Sequence, residues 1–223
     1  MTVVEADLEA LDPDLERDDL PALVYRRLTG RYQVDEWGLD RDLLAAVSPL
    51  ARLRWSVRVE GDHRVPEVGP ALLVHTRRIG VSEPAALGMA VRRATGRPLR
   101  VAGVPSRGPL SWTGRRLGGV PSNVDDLRSL LRSGELVAFA LGRELLHPYH
   151  VPPVPVPPVE VALALGVPIL PVAVSGVEPA RRWVVRVGAP IVTRRRAATG
   201  DPAELAEATR TRLQRLLTDA RRS

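Results

Sequence analysis

Cysteine and lysine are both absent from this chain of 223 residues. Without cysteine there is no thiol nucleophile, no disulfide and no cysteine-ligated metal site, so the redox compartment cannot be inferred from cysteine usage. Aromatic residues make up only 4% of the chain. The tryptophans, at 37, 55, 112 and 183, are too scattered to form a stacking platform for bases. We predict no metal site.

Targeting segments and membrane spans are not evident either. The first seven residues are rich in acid and lack the apolar core of a signal peptide. The longest uncharged run, residues 161–177, is interrupted by glycine and proline, which predicts the end of a helix, a turn and a buried strand. We therefore expect a cytoplasmic protein.

The charge is distributed unevenly. All 32 basic side chains are arginine, which stays protonated and makes forked contacts to phosphate or carboxylate. The first 20 residues hold eight acids and one arginine, a net charge of −7, so a total of +6 leaves +13 on the rest. The alternative interpretation, that a GC-rich coding sequence substitutes arginine for lysine, would explain the missing lysine but not this excess of basic over acidic residues. The basic body predicts an anionic partner, which is a nucleic acid, a phosphorylated small molecule or an anionic membrane surface.

The pattern of apolar residues predicts one α/β domain over residues 20–223, preceded by a disordered acidic tail at 1–19. Its fold class is a mixed, mostly parallel sheet flanked by helices. We predict strands over 55–60, 71–74, 99–102, 136–141, 169–174 and 183–187, with 136–141 central. We predict helices over 20–29, 40–54, 83–94, 108–117, 124–131, 159–165 and 201–222. The first two helices either cover a sheet face or rest on a membrane.

His75 stands out as a candidate functional residue. It directly follows the uncharged run 71–74, which is typical of a buried strand, and a helix opens soon after it, near Glu83 and Pro84. A histidine in this position lies at the carboxyl edge of a sheet, where α/β proteins bind ligands.

Four blocks in sequence order carry a resemblance to a known family. They are Val74-His75, the glycine-led turn 118–123, the strand end 139–143 and the run 167–174. Across about residues 50–192 the chain resembles the glycerolipid and lysophospholipid acyltransferase family, typified by 1-acylglycerol-3-phosphate acyltransferase. The resemblance implies that family's α/β fold.

The resemblance implies that His75 is a general base. It would remove a proton from an acceptor hydroxyl, which then attacks an acyl thioester, and a carboxylate would hold the ring in one tautomer. The family's acid lies five residues after the histidine, where this chain has Gly80. Glu83, eight residues after His75 and followed by Pro84, is the replacement candidate, with Ser82 a weaker one. The alternative is that both merely cap a helix.

The third block departs further from the family. Leu141 stands where the family has glutamate, and Ala140 where it has proline. Arg143 and Glu144 follow, either as displaced substitutes or as a solvent-facing pair. The site therefore resembles an acyltransferase site with degenerate motifs.

Phosphate binding is predicted from arginines and backbone amides near these blocks. Arginines close to the predicted sheet edge can bind phosphate by forked contacts, and the turn at 118–123 can present amides to an anion at a helix start. The predicted substrate-binding residues are Arg77, Arg78, Arg115, Arg116, Gly119, Ser122, Asn123, Gly142 and Arg143.

The resemblance implies an O-acyltransferase that uses acyl-CoA or acyl carrier protein as donor and a lysophospholipid or glycerol-phosphate compound as acceptor. It implies no cofactor, and a peripheral position on the anionic inner face of the cell membrane. Gly80 and Leu141 leave open a weak or inactive relative that binds lipid or acyl carrier. The basic body leaves open a nucleic-acid-binding module, against which the scattered aromatics argue.

Overall fold

A computed structural model describes residues 25, 29, 32–76, 82–103, 109–142, 150–176, 180–193 and 201–222. The strands are β1 (Ser56–Glu60), β2 (Ala71–Thr76), β3 (Leu99–Ala102), β4 (Gly119–Val120), β5 (Leu136–Leu141), β6 (Ile169–Ser175) and β7 (Arg182–Val187). The α-helices are α1 (Arg41–Arg54), α2 (Ser82–Thr95), α3 (Pro109–Arg116), α4 (Val124–Arg132), α5 (Val156–Leu165) and α6 (Pro202–Arg222). Asp62–Arg64 form a short 3-10 helix.

The strands form one seven-stranded sheet in the order β1-β7-β6-β2-β5-β3-β4. All neighbouring strands are parallel except β6 and β7. This confirms the predicted fold class, a mixed and mostly parallel sheet flanked by helices in one domain. Strand β2 is central, between β5 and β6, and burial on both faces explains its uncharged sequence.

Alternate residues of β2 point to opposite faces of the sheet. Leu72 and Val74 lie in a core formed with α4, α5 and α6. Ala71 and Leu73 lie in a second core, beneath α2. His75 continues the second set, so its ring lies on the α2 face.

Strand β2 and the turn that precedes α4 differ from prediction. Strand β2 extends two residues beyond 71–74, because His75 and Thr76 pair in register with β5. The segment 118–123, predicted as a turn, contains strand β4, which pairs with β3 at the edge of the sheet. Gly118 permits this close approach: its φ is +97°, and a Cβ there would lie 2.7 Å from the Leu99 carbonyl oxygen.

Helix α5 begins at Val156, three residues before the predicted start. Pro157 and Pro158 occupy its first turn, where N–H groups have no intrahelical acceptor, so proline costs little there. The other helices and strands predicted within the described residues agree with the structure to within two residues at each end.

Helix α1 is capped by Asp40, which accepts from the Leu43 N–H at 2.8 Å. The helix buries none of its residues, and Leu50 and Leu53 are 60% and 72% exposed. Its other apolar residues, Leu43, Leu44 and Val47 among them, are half-buried, and whether the helix covers a sheet face or rests on a membrane stays a prediction.

Arg100 ties the segment before α1 to the sheet. Its guanidinium, 1% exposed, donates to Asp35 and to Oε1 of Glu135. Burial alone would raise the pKa of Asp35, but the hydrogen bond from Arg100, aided by two backbone N–H groups, holds that pKa below its ordinary value.

The start of the chain lies largely outside the described residues, so the acidic tail at 1–19 stays a prediction. Of the helix predicted over 20–29, only Tyr25 and Thr29 are described, joined by a hydrogen bond of 3.0 Å from the Thr29 N–H to the Tyr25 oxygen. In the described ranges, every helix is too short or too polar to cross a membrane.

Candidate active site

His75 lies near the carboxyl end of the central strand. Its register partners are Ala140 on β5 and Val172 on β6, which point to the same face. The imidazole is 1% exposed. A titratable side chain is thus held between apolar neighbours at the sheet edge where parallel α/β folds bind ligands.

The two ring nitrogens of His75 have different surroundings. Nδ1 lies 2.9 Å from Oε1 of Glu83 and 3.2 Å from the backbone oxygen of Thr76. Both oxygens are acceptors when the carboxyl group is ionised, so Nδ1 carries the proton. In the neutral ring Nε2 is then unprotonated, and it is buried with no hydrogen-bond partner in the described part of the chain. The ring can therefore accept a proton at Nε2.

Glu83 reaches His75 from the first turn of α2 and is 2% exposed. A carboxylate in the first turn is also favoured by the helix dipole. The sequence left two roles open for Glu83, orienting His75 or opening the helix, and its position serves both. The loop between them contains residues 77–81, which lie outside the described residues.

Leu141, at the glutamate position of the third block, points away from His75. It is fully buried in the core formed with α4, α5 and α6, whereas His75 lies on the α2 face. Its register partner on β2 is Thr76. An acid at this position would enter the apolar core, so the position offers no polar group to the imidazole. Gly142, next in the chain, is exposed.

Arg115 and Arg116 lie at the end of the sheet opposite His75, which corrects the expected convergence of arginines. They end α3, and the chain then enters β4 beside Leu99, the first residue of β3. Arg116 donates to the Tyr32 hydroxyl at 2.9 Å, and its Nη1 lies 3.8 Å from Oδ2 of Asp40. A crossover helix runs antiparallel to its strands, so its last residues return to their amino ends.

The turn at 118–123 presents no clear anion cradle. Gly119 is buried in β4, and Ser122 is exposed beyond it. Oδ1 of Asn123 accepts from the Asp126 N–H at 2.7 Å and so caps α4. Asp125 and Asp126 place two carboxylates in the first turn of that helix, which disfavours an anion. Strand β4 is also three strands from β2, or roughly 14 Å.

The remaining predicted substrate-binding residues, Arg77, Arg78 and Arg143, lie outside the described residues, as do Gly80 and Glu144. Their roles stay predictions. Within the described residues, the sequence-predicted pair that the structure brings together is His75 and Glu83.

A contact between Trp55 and Ser82, the residue before Glu83, was not predicted from the sequence. The indole N–H of Trp55 donates to Oγ of Ser82 at 3.0 Å. These residues are 27 positions apart, and no local pattern pairs a tryptophan with a serine at such a separation.

No protein-family model matches this chain, and no curated protein sequence does. Among solved structures, the chain is similar to the crystal structure of the 1-acyl-sn-glycerophosphate (LPA) acyltransferase, PlsC, from Thermotoga maritima. The similarity covers 81% of this chain and 80% of that chain, with a TM-score of 0.62 and 15% sequence identity. At this identity the comparison shows a shared fold.

Proposed function

We propose that this protein is an O-acyltransferase, which moves an acyl chain from a thioester to a hydroxyl group of a lysophospholipid or glycerol-phosphate acceptor. The observation that carries the proposal is the buried contact of 2.9 Å between His75 Nδ1 and Glu83 Oε1. The fold shared with a lysophosphatidic acid acyltransferase supports it.

His75 acts as the general base in the proposed reaction. Nε2 takes the proton of the acceptor hydroxyl as its oxygen attacks the thioester carbonyl carbon. A carbon–oxygen bond forms, the tetrahedral intermediate collapses and the carbon–sulfur bond breaks. The imidazolium returns its proton to the departing thiolate, so the enzyme ends unchanged.

Glu83 has two tasks in this reaction. Its carboxylate accepts from Nδ1–H, which keeps the unprotonated nitrogen directed at the acceptor. It also balances the positive charge that the ring carries after proton transfer. This matters because both side chains are buried, at 2% exposure or less. General-base catalysis contributes about 10² to 10⁴-fold in rate.

The donor in this proposal is acyl-CoA or acyl carrier protein, and no cofactor takes part. The protein would act as a peripheral protein on the anionic inner face of the cell membrane, in the cytoplasm. The charge of +13 outside the first 20 residues supports an anionic partner.

A second candidate is a protein that binds lipid or acyl carrier with little or no turnover. Two observations favour it. Leu141 is buried in the apolar core, so its position supplies no acid to the site, and Arg116 contacts Tyr32 and Asp40. Phosphate recognition at His75 would then depend on residues other than Arg115 and Arg116.

The test is acyl transfer by the purified protein from long-chain acyl-CoA, and from acyl carrier protein, to a panel of lysophospholipids and glycerol 3-phosphate. His75→Ala is expected to abolish transfer. His63→Ala, at an exposed histidine in the 3-10 helix, is the matched control. No transfer with lipid or donor binding retained would favour the second candidate, and neither transfer nor binding would contradict both.

A further inference from the structure

A hydrogen bond next to the His75–Glu83 pair joins the residue between α1 and β1 to the first residue of α2. The indole N–H of Trp55 donates to Oγ of Ser82 at 3.0 Å. Ser82 is the first residue of α2 and directly precedes Glu83, and both are 2% exposed. The bond therefore ties the start of the helix that carries the carboxylate to a different part of the fold.

Trp55 is held on both sides along the chain. Its backbone caps the end of α1, and the next residue, Ser56, donates its N–H to the Arg181 oxygen at 2.7 Å, where β1 joins β7. The indole packs against the core beneath α2, and the guanidinium of Arg54 lies 5.5 Å from the ring centroid. A donor fixed in this way restrains its acceptor, Ser82.

This restraint matters because hydrogen bonds weaken steeply outside a narrow range of distance and angle. His75 lies on the central strand, whereas the position of Glu83 is set by the first turn of α2. We infer that Trp55 and Ser82 are positioning residues, whose hydrogen bond holds Glu83 where it keeps the proton on Nδ1 of His75. The inference rests on the proposed function for its effect on rate, but the proton on Nδ1 is observable without turnover.

The kinetic test uses Trp55→Phe, which removes the indole N–H, and Ser82→Ala, which removes the acceptor. Each is expected to lower kcat by roughly 10-fold, because reacting groups lose alignment. KM for both substrates should stay within about two-fold, because no substrate contact changes. The double variant should be no slower than the slower single variant, because both substitutions remove the same hydrogen bond, that between Trp55 and Ser82.

The spectroscopic test uses protein with ¹⁵N-labelled histidine, in which the His75 signals are those missing from His75→Asn. The wild-type Nδ1–H should exchange slowly with water. In Trp55→Phe and Ser82→Ala the exchange should be faster by about 10-fold or more, because the carboxylate no longer holds the proton.

Trp183→Phe is the matched control. Trp183 is 2% exposed in the same core, and its indole N–H donates to the Ala180 oxygen at 3.1 Å. This substitution also removes a ring and a hydrogen bond from the core. It is expected to leave kcat and Nδ1–H exchange at their wild-type values, whatever it does to Tm.

Unchanged Nδ1–H exchange in Trp55→Phe and Ser82→Ala would overturn the inference, as would rate losses that multiply in the double variant. An equal effect of Trp183→Phe would show general loosening of the core and would overturn it too. If the wild-type protein transfers no acyl group, the proposed function fails, and proton exchange alone still decides whether Trp55 and Ser82 position Glu83.

Discussion

The negative charge of Glu83 is the feature of the site whose removal has the most definite consequence. Glu83→Gln keeps the size of the side chain and an oxygen that can accept from Nδ1 of His75, and it removes the charge. In the proposed reaction His75 becomes positively charged when Nε2 takes the proton from the acceptor. The substitution therefore leaves the free enzyme nearly intact and destabilises the charged state.

The size of the effect follows from the burial and distance of the pair. The two side chains are 1% and 2% exposed, and the nearest nitrogen and oxygen are 2.9 Å apart. Unit charges centred about 4 Å apart attract each other by about 4 kcal/mol at an effective dielectric constant of 20. Because about 1.4 kcal/mol corresponds to tenfold in rate, Glu83→Gln should lower kcat roughly 10³-fold.

The assay is kcat and KM for acyl transfer, together with Tm to establish that the variant is folded. Glu135→Gln is the matched control, because Glu135 accepts from buried Arg100 at 3.1 Å in a different part of the sheet. It should cost stability without lowering kcat. A folded Glu83→Gln protein whose kcat lies within about five-fold of wild type would refute the view that this carboxylate stabilises the imidazolium.

Three further predictions concern the contact between Asp35 and Arg100, the buried Leu141 and the arginine at the end of α3, Arg116. The pKa of Asp35 is depressed in the folded protein, so its ionised form stabilises the fold at neutral pH, and this contribution is lost as the pH falls through the folded value. Asp35→Asn should therefore lower the free energy of unfolding by about 1 to 3 kcal/mol at neutral pH and by less in acid, as measured by urea denaturation at both. Leu141→Glu should lower the free energy of unfolding by at least about 3 kcal/mol without raising kcat, because the acid enters the core. A gain in kcat would contradict the orientation described for Leu141. Arg116→Ala should lower the free energy of unfolding by about 1 kcal/mol, because the contacts with Tyr32 are lost, while KM for a phosphorylated acceptor stays within about two-fold. A large rise in KM would show that Arg116 does bind substrate.

Local pattern predicted those parts of the site that are close together in the chain. The apolar run 71–74 and the helix start near Glu83 predicted a strand, a loop and a helix, and they left open whether Glu83 orients His75 or only caps the helix. The cap of α4 by Asn123 is likewise a local feature, because an N-cap involves residues within one helical turn.

Strand order and the direction of each helix could not be predicted in the same way. Residues 136–141 were predicted to be a central strand, and β5 does lie inside the sheet, between β2 and β3, but the middle place of the seven belongs to β2. Runs of buried residues look alike in any interior strand, because both faces are covered. The arginines of α3 were expected near His75, but the helix carries them to the other end of the sheet.

The sequence by itself determined the fold class and the bounds of most elements, because periodicity and caps are local properties, and it left open whether Glu83 orients His75 or only opens the helix. The tertiary structure decided that Leu141 faces the opposite core from His75, that Arg116 contacts Tyr32 and that Trp55 donates to Ser82. These contacts depend on which strands are neighbours and which way each face points, and such facts arise only when distant segments pack together.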